Sequence, residues 1–436
     1  MRILELTEST RKNILEDLLK RSPNQYGQYE ATVNEIIEQV RTRGDEALLE
    51  YTERFDHCLL TSANLEVTPE EIQKAYDTLT PEFIAVLKKS AENIRVYHEK
   101  QLRNSWFSTE ENGTILGQKI TPLNRVGVYV PGGTAAYPSS VLMNIVPARV
   151  AGVREIYMTT PPGKDGTMNP ATLVAADIAG VTKIFKAGGA QAIAALAFGT
   201  DTIPKVDKIT GPGNIFVALA KRSVFGYVSI DSIAGPSEIL VLADETANPR
   251  YVAADLLSQA EHDVLASAIL ITTSKELAES VSAEVDGFLQ KLSRREIIEQ
   301  SLENYGYILL ASDMERAVST VNEIASEHLE ILTKDPFELL PKIRNAGAIF
   351  LGPFSSEPLG DYFAGPNHVL PTNGTAKFFS PLGVDDFIKK SSIISYSKEA
   401  LKEVHKEIEL FAEQEGLTAH ANSIKVRFED AESRED

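Results

Sequence analysis

The spacing of apolar and polar positions divides the chain into two regimes. Up to about residue 120 the apolar side chains recur at helical intervals. Val33, Ile36, Ile37, Val40, Ala47, Leu48 and Tyr51 fall on one stripe, which predicts an amphipathic helix whose role is packing. Thr68-Pro69-Glu70-Glu71 supplies an N-cap, a proline at the first helical position and a capping-box glutamate. Thr80-Pro81-Glu82 repeats that start signal for a long helix to about Gln101. Asn112-Gly113, between Trp106-Phe107 and Thr114-Ile115-Leu116, predicts a hairpin turn. Residues 1 to 25 read as a polar N-terminal arm.

From Arg125 the period changes. Short apolar runs such as Val126 to Val130 and Glu155 to Met158 alternate with helical stretches such as Ser139 to Val150 and Ala171 to Ile178. Lys183-Ile184-Phe185, the run Ala190 to Phe198 and the turn Gly211-Pro212-Gly213-Asn214, opening a helix to about Phe225, continue the series. A second series follows: Glu238 to Leu242, a helix ending near Asp263, then Ala268 to Ile271, Tyr307 to Leu310 and Ala348 to Leu351. Strands returned to parallel by helical crossovers build open sheets, so this pattern predicts an α/β protein of two doubly wound, Rossmann-like domains. A small N-terminal arm and a C-terminal helical extension complete the expected fold.

Composition narrows the partners. Against 43 Lys plus Arg stand 62 Asp plus Glu, a net charge of -19 that repels phosphate backbones and anionic membrane surfaces. Nucleic acid and membrane are not expected partners. A single cysteine, Cys58, excludes an internal disulfide framework and any cysteine-based zinc cluster, and it fits a reducing compartment. Met1 to Leu6 lacks the apolar core of a secretion signal, and no apolar run approaches the ~18 residues of a membrane span. The expected location is cytoplasmic.

Four of the seven histidines stand in unusual local sequence. On a helix running to Asp263, Gln259 and His262 lie three apart and project together, so they can share one ion or ligand. Two donors are too few for zinc, which usually takes about four. Asp361, in Gly360-Asp361-Tyr362, is a candidate third ligand, and His420, beyond a helix from about Lys398 that Gly416 ends, a candidate fourth. Taken alone, a Gln-x-x-His pair is more often simply solvated. Glu327-His328 joins two proton acceptors of different basicity where the helix from about Met314 meets a loop, although from those residues alone a surface pair is the commoner reading. His57, His98 and His405 sit among charged residues and read as solvated. Residues 352 to 383 are rich in glycine and proline with little charge, which suits an ordered site loop. Neither GxGxxG nor GxxxxGK[ST] is present; Tyr129-Val130-Pro131-Gly132-Gly133, Gly188-Gly189-Ala190-Gln191 and Gly211-Pro212-Gly213-Asn214 are weaker phosphate-turn candidates, each readable as a plain tight turn.

Taken together, Ile230 to Glu238, Gln259-Ala260-Glu261-His262, Ser326 to Glu330, Gly365 to Thr372 and Glu415 to His420 resemble the histidinol dehydrogenase family, in order and over essentially the whole chain. The resemblance implies oxidation of L-histidinol to L-histidine through L-histidinal, with two NAD used in turn, as the last step of histidine biosynthesis. It implies one Zn2+ per subunit on Gln259, His262, Asp361 and His420, which also lie against substrate, with Ser237, His368 and Glu415 as further substrate contacts. Glu327 and His328 become the proton-transfer pair, and Tyr129, Gln191 and Asn214 the contacts to NAD. It further implies a homodimer with shared active sites, in which residues 26–129 and 238–381 bind metal and substrate, 130–237 bind NAD, and 382–436 reach the partner's site. Two other classes use some of the same residues: a zinc hydrolase with a glutamate activating water, and a binding protein that needs metal only to fold.

Overall fold

The computed structural model describes residues 1–21, 27–132, 136–233 and 235–429. The acidic tail after Glu429, and Gly133 of the first glycine turn, fall outside them. By its contacts the chain divides into two compact units. The first comprises Met1–Leu102 and Leu123–Phe387, the second Arg103–Pro122 and Ile388–Asp436.

The first unit contains two sheets. The larger runs in the order Arg2–Glu5, Gly306–Leu310, Ser267–Thr272, Glu238–Ala243, His328–Leu332, Ala348–Leu351, with every neighbouring pair parallel. The smaller runs Lys183–Lys186, Glu155–Thr160, Arg125–Tyr129, Lys208–Thr210, Ser229–Ile230, also parallel throughout. Numbered along the chain, and leaving aside Arg2–Glu5, each sheet has the order 3-2-1-4-5. That is the doubly wound arrangement expected from the alternation of strands and helices.

A strand covered on both faces needs apolar side chains in both directions, and Glu238–Ala243 is buried at every position. Ile239, Val241 and Ala243 enter one core with Val252 and Leu256 of the helix Pro249–Ala260. Leu240 and Leu242 point the other way, into a core with Val318 and Val321 of the helix Met314–Ile324. Each fully buried leucine or isoleucine contributes roughly 1.5–3 kcal/mol of transfer free energy.

Several local expectations need correction. The stripe from Val33 to Tyr51 is two helices, Glu30–Arg43 and Asp45–Asp56, broken at Gly44, whose φ of 57° ends the first and begins the second. Both pack in the core of the smaller sheet with Ile193 and Leu196, whereas the sequence grouped them with the metal-binding part. Arg125–Tyr129, likewise grouped there, is the central strand of the smaller sheet. The N-terminal arm is ordered over its described part: Arg2–Glu5 extends the larger sheet, and Ile14 and Leu18 of the helix Glu8–Leu19 enter its core. His98 is fully buried, with Nδ1 2.7 Å from the Ile94 carbonyl, and is not solvated.

The second unit is a three-stranded antiparallel sheet, Ile388–Ser395, Ile115–Pro122 and Trp106–Thr109, with the helices Lys398–Gln414 and Thr418–Lys425. Gly113, at φ 83°, sits in the turn joining Trp106–Thr109 to Ile115–Pro122, as the Asn-Gly pair predicts.

Candidate active site

Glu238 and His328 open neighbouring strands of the larger sheet, with His328 paired in register to Ile239. The site therefore lies at the amino ends of these strands. The helix Pro249–Ala260 carries the chain back from the carboxyl end of one strand to the amino end of the next, which brings Gln259 to the same edge. That helix stops at Ala260 with Glu261 as its C-cap, so His262 stands in the following turn, its N–H donating to the Gln259 carbonyl at 3.2 Å. The expected single helical face is thus replaced by a helix end and a turn. His328 also differs from expectation: the helix before it ends at Ile324, Ala325 turns left-handed at φ 53°, and His328 begins a fully buried strand.

The backbone of Glu238 holds both members of the acid–imidazole pair. Its N–H donates to Glu327 Oε2 at 2.9 Å, and its carbonyl lies 2.9 Å from His328 Nδ1. A carbonyl only accepts, so Nδ1 carries the proton and Nε2 keeps its lone pair. Nε2 lies 4.0 Å from Asp361 Oδ1. Glu327 Oε2 is 3.7 Å from His328 Nδ1.

The glycine-rich segment adds two more groups, Asp361 from the short helix Glu357–Tyr362, where a loop was expected, and His368 from the loop that follows. Asp361 Oδ1 lies 3.5 Å from His368 Nδ1, and His368 Nε2 lies 3.4 Å from Ser140 Oγ. The loop is pinned as its low charge and glycine content suggest. Asn93 Nδ2 donates to the Phe363 carbonyl at 2.8 Å, and Asn367 Nδ2 to the Met143 carbonyl at 2.6 Å. Gly365 has φ +107° and passes so close to the long helix Pro81–Glu99 that a Cβ there would stand 2.7 Å from the Asn93 carbonyl oxygen. Ser237 lies immediately before Glu238, on a loop where the Gly235 N–H donates to Thr372 Oγ1 at 2.7 Å.

Burial sets the proton affinities. It pushes the Glu327 carboxyl well above the usual range, and the charge of Glu238 adds to the rise. It lowers the His328 imidazole to about 4, against the pull of Asp361. Burial also favours protonated Asp361, but the imidazoles of His368 and His328 outweigh it and hold the carboxyl down at about 2. Beside it, burial and then the Asp361 charge raise Glu357 to about 8. Near neutral pH the site therefore presents an ionised Asp361 and a neutral imidazole base.

Glu327, His328, Asp361 and His368 are thus brought together, whereas His262 stands in the turn after Gln259 at the same edge of the sheet. Donor atoms of His328, Glu357 and Asp361 lie within 4.8 Å of one another. Gln259 is 1% exposed, and its Oε1 has no hydrogen-bond partner. Glu415 and His420 belong to the second unit, exposed, and line a cleft there with Val404, Ile408 and Phe411. Sequence reasoning missed Glu238, Glu357 and Ser140. For Glu238 a signal existed: an acid heading the otherwise apolar run Glu238 to Leu242 must be buried and partnered.

A second cavity, about 1150 Å³, opens at the carboxyl ends of the smaller sheet and is lined by Tyr129, Pro131, Gly132, Gly189, Gln191 and Asn214 among others. It sits where the strand order reverses, between Arg125–Tyr129 and Lys208–Thr210, the customary ligand crevice of such sheets. Gly211, at φ +112°, comes so near that a Cβ would lie 2.0 Å from the Tyr129 carbonyl oxygen. The buried Tyr129 hydroxyl accepts from the Gly189 N–H at 3.2 Å, and burial raises it to about 12, so it stays protonated. Asn214 caps the helix Ile215–Val224.

Two sheets wound in the same order, one with a crevice of glycine turns and the other with a buried acid–imidazole cluster, define a doubly wound α/β enzyme. A family model described as histidinol dehydrogenase matches residues 19–428. A histidinol dehydrogenase of Clostridium acetobutylicum is 59% identical over 428 residues, 98% of this chain and 99% of that protein. One of Bacillus subtilis is 61% identical over 396 residues, 91% of this chain and 92% of that protein. The crystal structure of histidinol dehydrogenase from Elizabethkingia anophelis superposes with a TM-score of 0.93 at 38% identity, covering 99% of each chain. The chain belongs to the histidinol dehydrogenase family and is an oxidoreductase. Among the described residues no helix is long and apolar enough to cross a membrane.

Proposed function

We propose that this enzyme oxidises L-histidinol to L-histidine by two successive two-electron steps through L-histidinal, with one Zn2+ per subunit and NAD as hydride acceptor. The observation that carries the reading is the joint anchoring of Glu327 and His328 on the Glu238 backbone, opposite Asp361. Zinc fits the residues present: Gln259 Oε1 is a buried acceptor without a partner, Asp361 is held ionised, and His262 adds a nitrogen. Gln259, His262 and Asp361 would hold it, with His420 supplied across a two-fold dimer as the fourth ligand. When bound, the metal orients an amine and imidazole without accepting electrons, and NAD accepts the hydride.

The chain's own residues then divide the protons. In the first oxidation the substrate carbon loses hydride as its hydroxyl proton passes to His328 Nε2, the nitrogen with the free lone pair. The second oxidation needs a water. Glu327, whose burial raises its basicity, takes a proton from that water as its oxygen bonds to the aldehyde carbon, and the hydrate anion so formed then loses hydride and becomes the carboxylic acid. Ser237, His368 and Glu415 hold the substrate's polar ends. Tyr129, Gln191 and Asn214 contact NAD in a crevice open enough for exchange between steps. The enzyme works in the cytoplasm as a homodimer with residues 382–436 reaching the partner's site.

Chelation is the direct test of the metal. Turnover of L-histidinol, followed by NAD reduction, is expected to vanish on metal removal while the circular dichroism spectrum persists, and to return with added zinc. Full activity in metal-free protein contradicts the proposal. Zinc-dependent hydrolysis without NAD reduction points instead to a hydrolase.

A further inference from the structure

Arg21 and Glu238 have no place among the proposed contacts to substrate, metal or cofactor, yet both are buried beside the proton-transfer pair. Arg21 is 1% exposed and Glu238 3%. The Arg21 guanidinium pairs through Nη2 with Glu238 Oε1 and donates through Nη1 to the Leu265 carbonyl at 2.8 Å. Tyr305 lies against it, ring centre to Cζ 5.2 Å. The second carboxylate oxygen of Glu238, Oε2, accepts from the Glu327 N–H at 3.3 Å. The Glu238 N–H donates in return to Glu327 Oε2 at 2.9 Å, and its carbonyl takes the His328 Nδ1 proton. One residue therefore grips the Glu327 backbone, the Glu327 carboxylate and the His328 ring.

Such a clamp has an electrostatic cost. Two carboxylates this close in a buried site oppose each other's ionisation, and Glu327 has to ionise to activate water. A cation fixed on the far side of Glu238 offsets that repulsion, and an arginine is suited to it because it stays charged when buried. The geometry points to Arg21 and Glu238 as a positioning pair, in which the guanidinium neutralises Glu238 so that Glu238 can hold Glu327 and His328 in place without displacing the charge on Glu327. This rests on the proton-transfer roles given above to Glu327 and His328. It also gives the N-terminal segment a function beyond completing the larger sheet.

Removing one member of a buried ion pair strands the other charge, whereas removing both is often tolerated. The test compares Arg21→Met, Glu238→Gln, the double variant and Arg21→Lys in the full-length zinc enzyme, by kcat and KM for L-histidinol. Each single neutral variant is expected to lose roughly tenfold or more in kcat with KM held within about twofold, since the pair acts on proton transfer and not on binding. The double variant is expected to recover to within about threefold of wild type, and Arg21→Lys to exceed Arg21→Met. A readout independent of turnover is the 15N resonance of His328 in metal-free protein: the protonated-Nδ1 pattern should persist in the double variant and weaken in Arg21→Met. A double variant no better than the worse single variant overturns the inference, as does one that fails to fold. If Arg21→Met alone fails to fold, the double variant and Arg21→Lys still decide it. Glu327→Gln serves as the control: full aldehyde oxidation there refutes the proton-transfer assignment itself, whereas impaired Glu327→Gln without rescue in the double variant refutes only the positioning role.

Discussion

His328 and Glu327 are sequence neighbours whose surroundings shift their proton affinities in opposite directions. Burial removes the charge from the imidazole, lowering it to about 4, and raises the carboxyl of Glu327. A neutral imidazole with its Nε2 lone pair exposed to the site suits an alcohol proton, and a carboxylate of raised basicity suits water. Glu327→Gln is therefore expected to slow oxidation of L-histidinal by roughly 10²–10⁴-fold while slowing the first hydride transfer much less. Single turnovers started separately from alcohol and aldehyde measure the two steps, and equal losses would show that Glu327 only orients its neighbours. At this scale the sequence was informative where chemistry is rare: Glu-His in a chain with seven histidines, Asp361 among glycines, Gln259 near a helix end. It was silent on Glu357, because a glutamate before a proline in a loop looks like any other capping residue. The short helix Glu357–Tyr362, which sets it four residues from Asp361 on one face, is not signalled among these glycines and prolines.

At the scale of elements, legibility followed the strength of local signals. The capping box at Thr68 and Glu71 is present as the residues predict, and the helix after Thr80 runs from Pro81 to Glu99. The strand His328–Leu332 was missed: five residues including an acid and an imidazole give no clear period, and the helix before it ends on an alanine where a glycine would have marked the stop. The break at Gly44 was passed over because the stripe of apolar positions continues across it and both helices face one core. Between Asp361, on the short helix Glu357–Tyr362, and the loop residue His368, Gly365 combines φ +107° with a close approach to the Asn93 carbonyl. Gly365→Ala is expected to destabilise the protein by about 1–3 kcal/mol and to weaken zinc retention, since Asp361 and His368 flank the distortion. Urea unfolding and metal content after dialysis check both, and an unchanged midpoint with full zinc would contradict it.

Across the whole molecule, two sheets of one winding order serve different ends of their strands. The smaller sheet presents its carboxyl ends and helix N-termini to the larger cavity, and the larger presents its amino ends to the acid–imidazole cluster. The alternation of short apolar runs with helices made this winding readable, because crossover connections are forced by parallel pairing. The limits of the compact units were not readable: Arg103–Pro122 joins Ile388–Asp436 through antiparallel pairing of Ile115–Pro122 with Ile388–Ser395, a contact between segments far apart in the chain. If His420 completes the zinc site across a dimer, His262→Ala and His420→Ala are each inactive, but a mixed dimer holds one intact site. Co-refolding equal amounts gives about half mixed dimers and should restore roughly a quarter of wild-type activity. No recovery would place both ligands in one chain.

A single site is expected to carry an alcohol through an aldehyde to an acid. Its most direct test is stoichiometry: NADH formed, by its absorbance near about 340 nm, per L-histidinol consumed when limiting substrate is exhausted in excess NAD. The expected ratio is about two, with L-histidine as the product. A ratio of one with L-histidinal accumulating, or no NADH at all, would contradict it.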